Sequence, residues 1–231
     1  FAANNLPGAL SVIAIAEKNN LFHAPETYME KISTKVNEKG VVDLDYSTKE
    51  NIFNLCEYLN KKPQSITACI MDRPRHKDII DELNILGVKI KLITDGDVSG
   101  ALLVTDDKYG VDIFLGIGGG PEGVLASAAL DTFECSFQGR FLFHTEEDKR
   151  RANKMGITNL SKKYELDEIV KGDSIFCATG VTSGDLVSGI RTENNKFITE
   201  TLVTHKSTGL KKIIKKLQID DVDRYPKSNK A

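Results

Sequence analysis

The chain lacks tryptophan, has only four cysteines in 231 residues, and shows no surplus of either charge. Its 31 basic residues nearly cancel 33 acidic ones, for a formal net charge of −2. A nucleic-acid footprint needs Lys and Arg gathered on one face, so no nucleic-acid partner is expected. The most basic stretch, Lys206 to Lys216, is short, and its Leu210, Ile213, Ile214 and Leu217 fall at helical spacing. That spacing predicts a solvated amphipathic helix. Cys56, Cys69, Cys135 and Cys177 stand far apart in apolar runs with no CxxC pair. They read as buried, reduced thiols of a cytoplasmic protein rather than a disulfide framework or a zinc site. No apolar run reaches the roughly 18 residues that a bilayer-spanning helix requires, so no membrane partner is expected. The opening Phe1-Ala2-Ala3-Asn4 has no charged n-region, which argues against a signal peptide and for a piece of a longer protein.

With 40% hydrophobic residues, the chain can bury a large core. Gly8 to Ala16 is a continuous apolar run that predicts a strand covered on both faces. Ser47 with Glu50 forms a capping-box signature that opens a helix ending before Pro63. Strand and helix then alternate: strands over 65–71, 88–93 and 111–117, helices over 76–86, 98–104 and 123–133. This alternation predicts βαβ units and a mainly parallel sheet in the middle of the chain. A charged helix over 147–155 and strands over 174–179 and 197–204 follow. The turn Asn194-Asn195-Lys196 predicts a hairpin-like return into the last of these. The fold class is mixed α/β, divided into a first lobe over 1–62 and a second over 63–231.

In parallel sheets, ligands collect at the carboxyl ends of strands, and three polar clusters fall there. The first, Gly116-Ile117-Gly118-Gly119-Gly120-Pro121-Glu122-Gly123, joins a strand to a helix. Glycines let backbone approach a ligand, Pro121 suits a first helical turn, and free amides there cradle phosphate. Gly118-x-Gly120-x-x-Gly123 also matches a dinucleotide fingerprint, but Glu122 would repel a pyrophosphate unless a divalent cation lay between them. The second, Asp95-Gly96-Asp97, suits sugar hydroxyls or a hard cation, with Asp97 as a plain helix cap the alternative. The third, Arg73-Pro74-Arg75-His76, crowds cationic groups at a helix start against the helix dipole and so points to an anionic ligand. No histidine has a partner at metal-ligand spacing, so a histidine metal site is not expected.

These strings, with Ala24-Pro25-Glu26-Thr27-Tyr28-Met29-Glu30-Lys31 and Ala178-Thr179-Gly180-Val181-Thr182, resemble the class II (GlpX-type) fructose-1,6-bisphosphatases in order and spacing across nearly the whole chain. The resemblance implies the layered α-β-α-β-α sandwich of the sugar and inositol phosphatases, with mixed sheets. It implies hydrolysis of D-fructose 1,6-bisphosphate to fructose 6-phosphate in gluconeogenesis, with Mn²⁺ or Mg²⁺ as cofactor. Glu122 is then the metal ligand, and Tyr28, Arg73, Pro74, Arg75, Asp95, Gly96, Asp97 and Gly119 contact the sugar bisphosphate. A homo-oligomer, dimer or tetramer, is expected. The resemblance also places an Asp-Pro-x-Glu-Gly-Thr metal motif, whose Thr helps activate the attacking water, immediately before Phe1 and outside this sequence.

Two other readings stand beside this one. A nicotinamide-dependent oxidoreductase built on Gly118 to Gly123 needs an acidic residue at the end of the next strand, where Phe143-His144 stands instead. A sugar-phosphate sensor with a degenerate site would bind the same ligand without turning it over.

Overall fold

The computed structural model describes residues 3, 6–194 and 196–219. In chain order its strands are β1 (Leu10–Ala16), β2 (Tyr28–Thr34), β3 (Thr67–Met71), β4 (Lys89–Ile93), β5 (Ile113–Gly119) and β6 (Ser136–Leu142), then β7 (Lys163–Glu165), β8 (Ser174–Gly180), β9 (Arg191–Glu193), β10 (Lys196–His205) and β11 (Leu210–Ile219). The helices are α1 (Thr48–Leu59), α2 (Lys77–Ile85), α3 (Asp97–Leu102), α4 (Gly120–Thr132), α5 (Glu146–Lys154) and α6 (Leu166–Ile169). No helix among the described residues is long and apolar enough to cross a membrane.

One sheet has six strands in the order β4-β3-β5-β2-β6-β7, and the other runs β1-β8-β10-β11 with β9 beside β10. The middle strands β3, β4 and β5 pair in parallel, as their alternation with helices predicts, while β2 is antiparallel to both of its neighbours, so the sheet as a whole is mixed. Strand β2 precedes residue 62 while its partners β5 and β6 follow it, so the six-stranded sheet draws on both sides of that point.

Helix α4 lies between the two sheets, packing on β6 and β8. It is therefore buried almost all round, and its small residues admit close neighbours. A Cβ on Gly123 would lie 2.4 Å from the Met29 sulfur, so only glycine lets the helix settle on β2 at that point. The core between the sheets centres on Met29, Phe114, Phe137 and Phe176. A second core, on the far face of the six-stranded sheet, takes Ile52 and Leu55 of α1 and Leu83 of α2. The order of layers among the described residues is sheet, helices, sheet, helices: four layers of the expected sandwich.

The capping box opens α1 as read: Ser47 Oγ accepts from Glu50 N at 3.2 Å, and Glu50 Oε2 accepts from Ser47 N at 2.8 Å. The hairpin of β9 with β10 also matches its reading, with Asn194 in the left-handed region at φ 50°; Asn195 lies outside the described residues. The apolar run 8–16 gives β1 over Leu10–Ala16, which among the described residues pairs only with β8 and leaves Ile13 and Ile15 each 53% exposed. One element differs. The stretch Lys206–Lys216 is no helix: Lys206 to Gly209 turns the chain, with Gly209 at φ 63°, and β11 then pairs with all of β10. Ten cross-strand pairs, among them the ion pair of Lys215 with Glu200 at 3.2 Å, outweigh a helical spacing whose apolar residues remain exposed. The thiols are free, as read. Cys177 is only half-buried, whereas burial pushes the Cys69 and Cys135 thiols up to about 12.

Candidate active site

The three polar clusters do lie together at the carboxyl ends of β3, β4 and β5. The strand β5 ends in Gly118-Gly119, where α4 begins with Gly119 as its cap and Pro121 in the first turn. Antiparallel pairing sets Tyr28, the first residue of β2, opposite Gly119. Tyr28 is half exposed; the guanidinium of Arg75 stacks 4.9 Å from its ring centre, and the His144 ring stands edge-on at 6.4 Å. The Arg75 Nε and Nη2 both donate to the Ile117 carbonyl, at 3.0 and 2.8 Å. One face of this arginine is thus fixed by the strand and the aromatic ring, and its remaining donors stay open.

Two carboxylates flank the bare backbone. A Cβ on Gly118 would lie 2.0 Å from Asp97 Oδ2, and one on Gly119 would lie 1.9 Å from Glu122 Oε2. At Gly118 a side chain would meet the buried, ion-paired Asp97, so glycine is required there, whereas at Gly119 it would displace the exposed end of Glu122. Glu122 is exposed, at the start of α4, where the helix dipole favours an anion. Asp97 is not the cap of α3. Gly96, left-handed at φ 82°, takes that position, and Asp97 is buried and ion-paired with Lys31. Burial holds the Lys31 pKa below its ordinary value, against the opposing pull of Asp97 and Glu122. Asp95 is exposed; its carboxylate accepts from Gly96 N at 2.9 Å and stands 3.8 Å from the Arg73 guanidinium. Arg73 and Pro74 form the start of a single 3-10 turn over Pro74–His76.

His76 overturns part of the sequence reading. It is fully buried rather than a third cation at an open helix start, and burial lowers its pKa from the ordinary 6.5. Thr182, in the string around 178–182, braces the fold: its hydroxyl accepts from Ala9 N at 2.9 Å and donates to the Leu6 carbonyl at 2.6 Å. Sequence reasoning also missed the pairing of Lys31 with Asp97, for which no local signal exists across 66 residues.

For a hard divalent cation, Glu122 supplies one carboxylate oxygen, and this fits a single ligand position. No cluster of three or more His, Cys, Asp or Glu that could hold a metal occurs among the described residues. The dinucleotide reading fails on topology, since antiparallel β2 separates β5 from β6, where a dinucleotide fold needs neighbouring parallel strands. A cavity of about 730 Å³ opens at the other end of the six-stranded sheet beside Asp43, Asp131, Glu165 and Lys206. Its acidic lining suits a phosphorylated sugar poorly, so the glycine-rich end of β5 is the better candidate.

Residues 1–218 match the family of bacterial, glpX-encoded fructose-1,6-bisphosphatases. Among curated relatives, a D-fructose 1,6-bisphosphatase class 2/sedoheptulose 1,7-bisphosphatase of Synechococcus sp. (strain JA-3-3Ab) is 36% identical over 234 residues, covering 96% of this chain and 67% of the relative. Its namesake from Synechocystis sp. (strain ATCC 27184 / PCC 6803 / Kazusa) is 36% identical, covering 85% of this chain and 61% of the relative. That of Prochlorococcus marinus (strain AS9601) is 35% identical, covering 88% and 65%. The chain thus spans about two thirds of the length of these relatives.

Proposed function

The chain belongs to the family of bacterial, glpX-encoded fructose-1,6-bisphosphatases, and we propose from this that the protein hydrolyses the 1-phosphate of D-fructose 1,6-bisphosphate, giving fructose 6-phosphate and phosphate. The observation that carries the reading is the convergence of Tyr28, Arg75, Asp97 and Glu122 on Gly118-Gly119 in a chain of this family. Arg75, braced by Ile117 and Tyr28, holds the phosphate remote from the reacting one, with Arg73 beside it. That contact binds ground and transition states alike, so it sets KM rather than kcat. Gly118 to Gly120 present backbone without side chains, so the reacting phosphate or the neighbouring sugar oxygen can approach the amides. Asp95 accepts hydrogen bonds from sugar hydroxyls, and Asp97 offers its oxygen not taken by Lys31.

Glu122 would hold one divalent cation, Mg²⁺ or Mn²⁺, which when bound supplies Lewis acidity at the phosphoryl oxygens. We place the protein in the cytoplasm as a homo-oligomer, consistent with its free thiols. The double designation of the relatives favours sedoheptulose 1,7-bisphosphate as a second substrate. Phosphate release from both bisphosphates, with fructose 6-phosphate identified as product, tests the reading. Binding of either sugar without any release would move the protein to the class of sensors.

A further inference from the structure

Strands β3 and β5 run side by side but share only two ladder pairs, Ala68 with Ile113 and Cys69 with Phe114. Past that point the Met71 carbonyl and the Ile117 N–H need other partners, since buried backbone groups are rarely left unpaired. One side chain serves both. The Nδ1 of His76 lies 2.7 Å from the Met71 oxygen, and its Nε2 lies 2.8 Å from the Ile117 nitrogen. A backbone N–H can only donate, so Nε2 is an acceptor here; a carbonyl can only accept, so Nδ1 carries the proton. The neutral Nδ1–H tautomer alone satisfies both bonds. His76 is 0% exposed, so water does not take over either partner. A Cβ at Gly116 would lie 3.3 Å from Nε2, and the bare glycine leaves the ring its room.

The residue that His76 holds has a second attachment. The Ile117 carbonyl accepts the paired bonds from Arg75, the residue just before His76. Consecutive side chains therefore grip Ile117 at its N–H and its carbonyl. We propose that His76 is a positioning residue of this site: its imidazole replaces the missing ladder bonds between β3 and β5, fixes Ile117, and through it fixes the Arg75 guanidinium for the second phosphate of a bisphosphate. This rests on the reading of Arg75 as a phosphate ligand. Burial lowers the pKa of the ring, with Arg75 and Arg73 adding to that effect and the Met71 and Ile117 bonds opposing it. The net direction favours the neutral form that the geometry requires.

The test is His76→Phe, which keeps a ring in the space but can neither donate to Met71 nor accept from Ile117. Calorimetry with fructose 6-phosphate, which carries only the remote phosphate, should show affinity about tenfold weaker, the size of one lost net hydrogen bond. The KM for the bisphosphate should rise similarly while kcat changes by less than about threefold, a split that general loss of structure does not produce. Unchanged KM and affinity in a folded variant, or equal loss in kcat, overturns the proposal. Should His76→Phe not fold, long-range ¹H–¹⁵N spectra of the wild-type imidazole decide. A neutral ring protonated at Nδ1 supports the clamp, and a ring protonated at Nε2 or at both nitrogens refutes it. If the wild type binds neither sugar phosphate, the assigned function fails, while the spectrum still reports on the clamp.

Discussion

Lys31 on β2 and Asp97 at the start of α3 form a buried ion pair, with side chains 1% and 9% exposed, beside the strand that carries Gly118. The lysine also runs beneath the first turn of α4, where a Cβ on Gly123 would lie 3.2 Å from its Cε. The pair therefore ties together the three elements that present Tyr28, Asp97 and Glu122. Lys31→Met should destabilise the fold by about 3–5 kcal/mol, because it strands a buried carboxylate. Urea unfolding measures this, and a loss below about 1 kcal/mol would show that Asp97 finds water or another partner.

Gly119→Ala is expected to be nearly silent in stability but damaging to turnover. Its methyl would stand 1.9 Å from Glu122 Oε2, and the end of a flexible, exposed side chain can move aside. Displacing this carboxylate by about 1 Å should lower kcat on the order of 100-fold. Steady-state kinetics beside a thermal melt separates the two effects; full activity would place the working position of Glu122 elsewhere.

Arg75→Ala removes an exposed side chain, so the melt should scarcely change. Binding of the bisphosphate should weaken by about 1.5–3 kcal/mol, the value of a charge-assisted hydrogen bond, and appear as a raised KM. An unchanged KM would assign the remote phosphate to other residues.

His76 makes stability depend on pH in a defined direction. Its folded pKa is lowered from 6.5, chiefly by burial, so below pH 6.5 the unfolded chain takes up a proton that the folded chain refuses. The contribution is complete above 6.5 and is lost as pH falls from there through the lowered folded value. Unfolding free energies measured between about pH 7.5 and 5 should fall more steeply for the wild type than for His76→Phe. Parallel slopes would mean that His76 takes up its proton equally in both states.

Much of this arrangement could be read from the chain because its signals are local. The Ser47–Glu50 box encodes its own helix start, and glycine-punctuated strand ends mark where backbone must stay open. The errors arose where long-range pairing decides. Leu210, Ile213, Ile214 and Leu217 share a helical spacing, yet the Gly209 turn and the ladder to β10 make them a strand. Residues 8–16 announce a strand by composition, but their partner β8 is set from far along the chain. In the site, residue types were legible while partnerships were not. That Asp97 faces Lys31, or that His76 is neutral and sealed between two strands, depends on neighbours brought in from elsewhere in the chain.

The most direct measurement of the central claim is phosphate release from D-fructose 1,6-bisphosphate by the purified full-length wild-type protein and by its Glu122→Gln variant, each with and without Mn²⁺. The wild type should release one phosphate per sugar, with Mn²⁺ required, and leave fructose 6-phosphate. Glu122→Gln, equally well folded, should be slower on the order of 100-fold or more, because it removes an anionic ligand from a hard cation. Release that proceeds undiminished in Glu122→Gln, or no release by the wild type with Mn²⁺ present, would contradict the account.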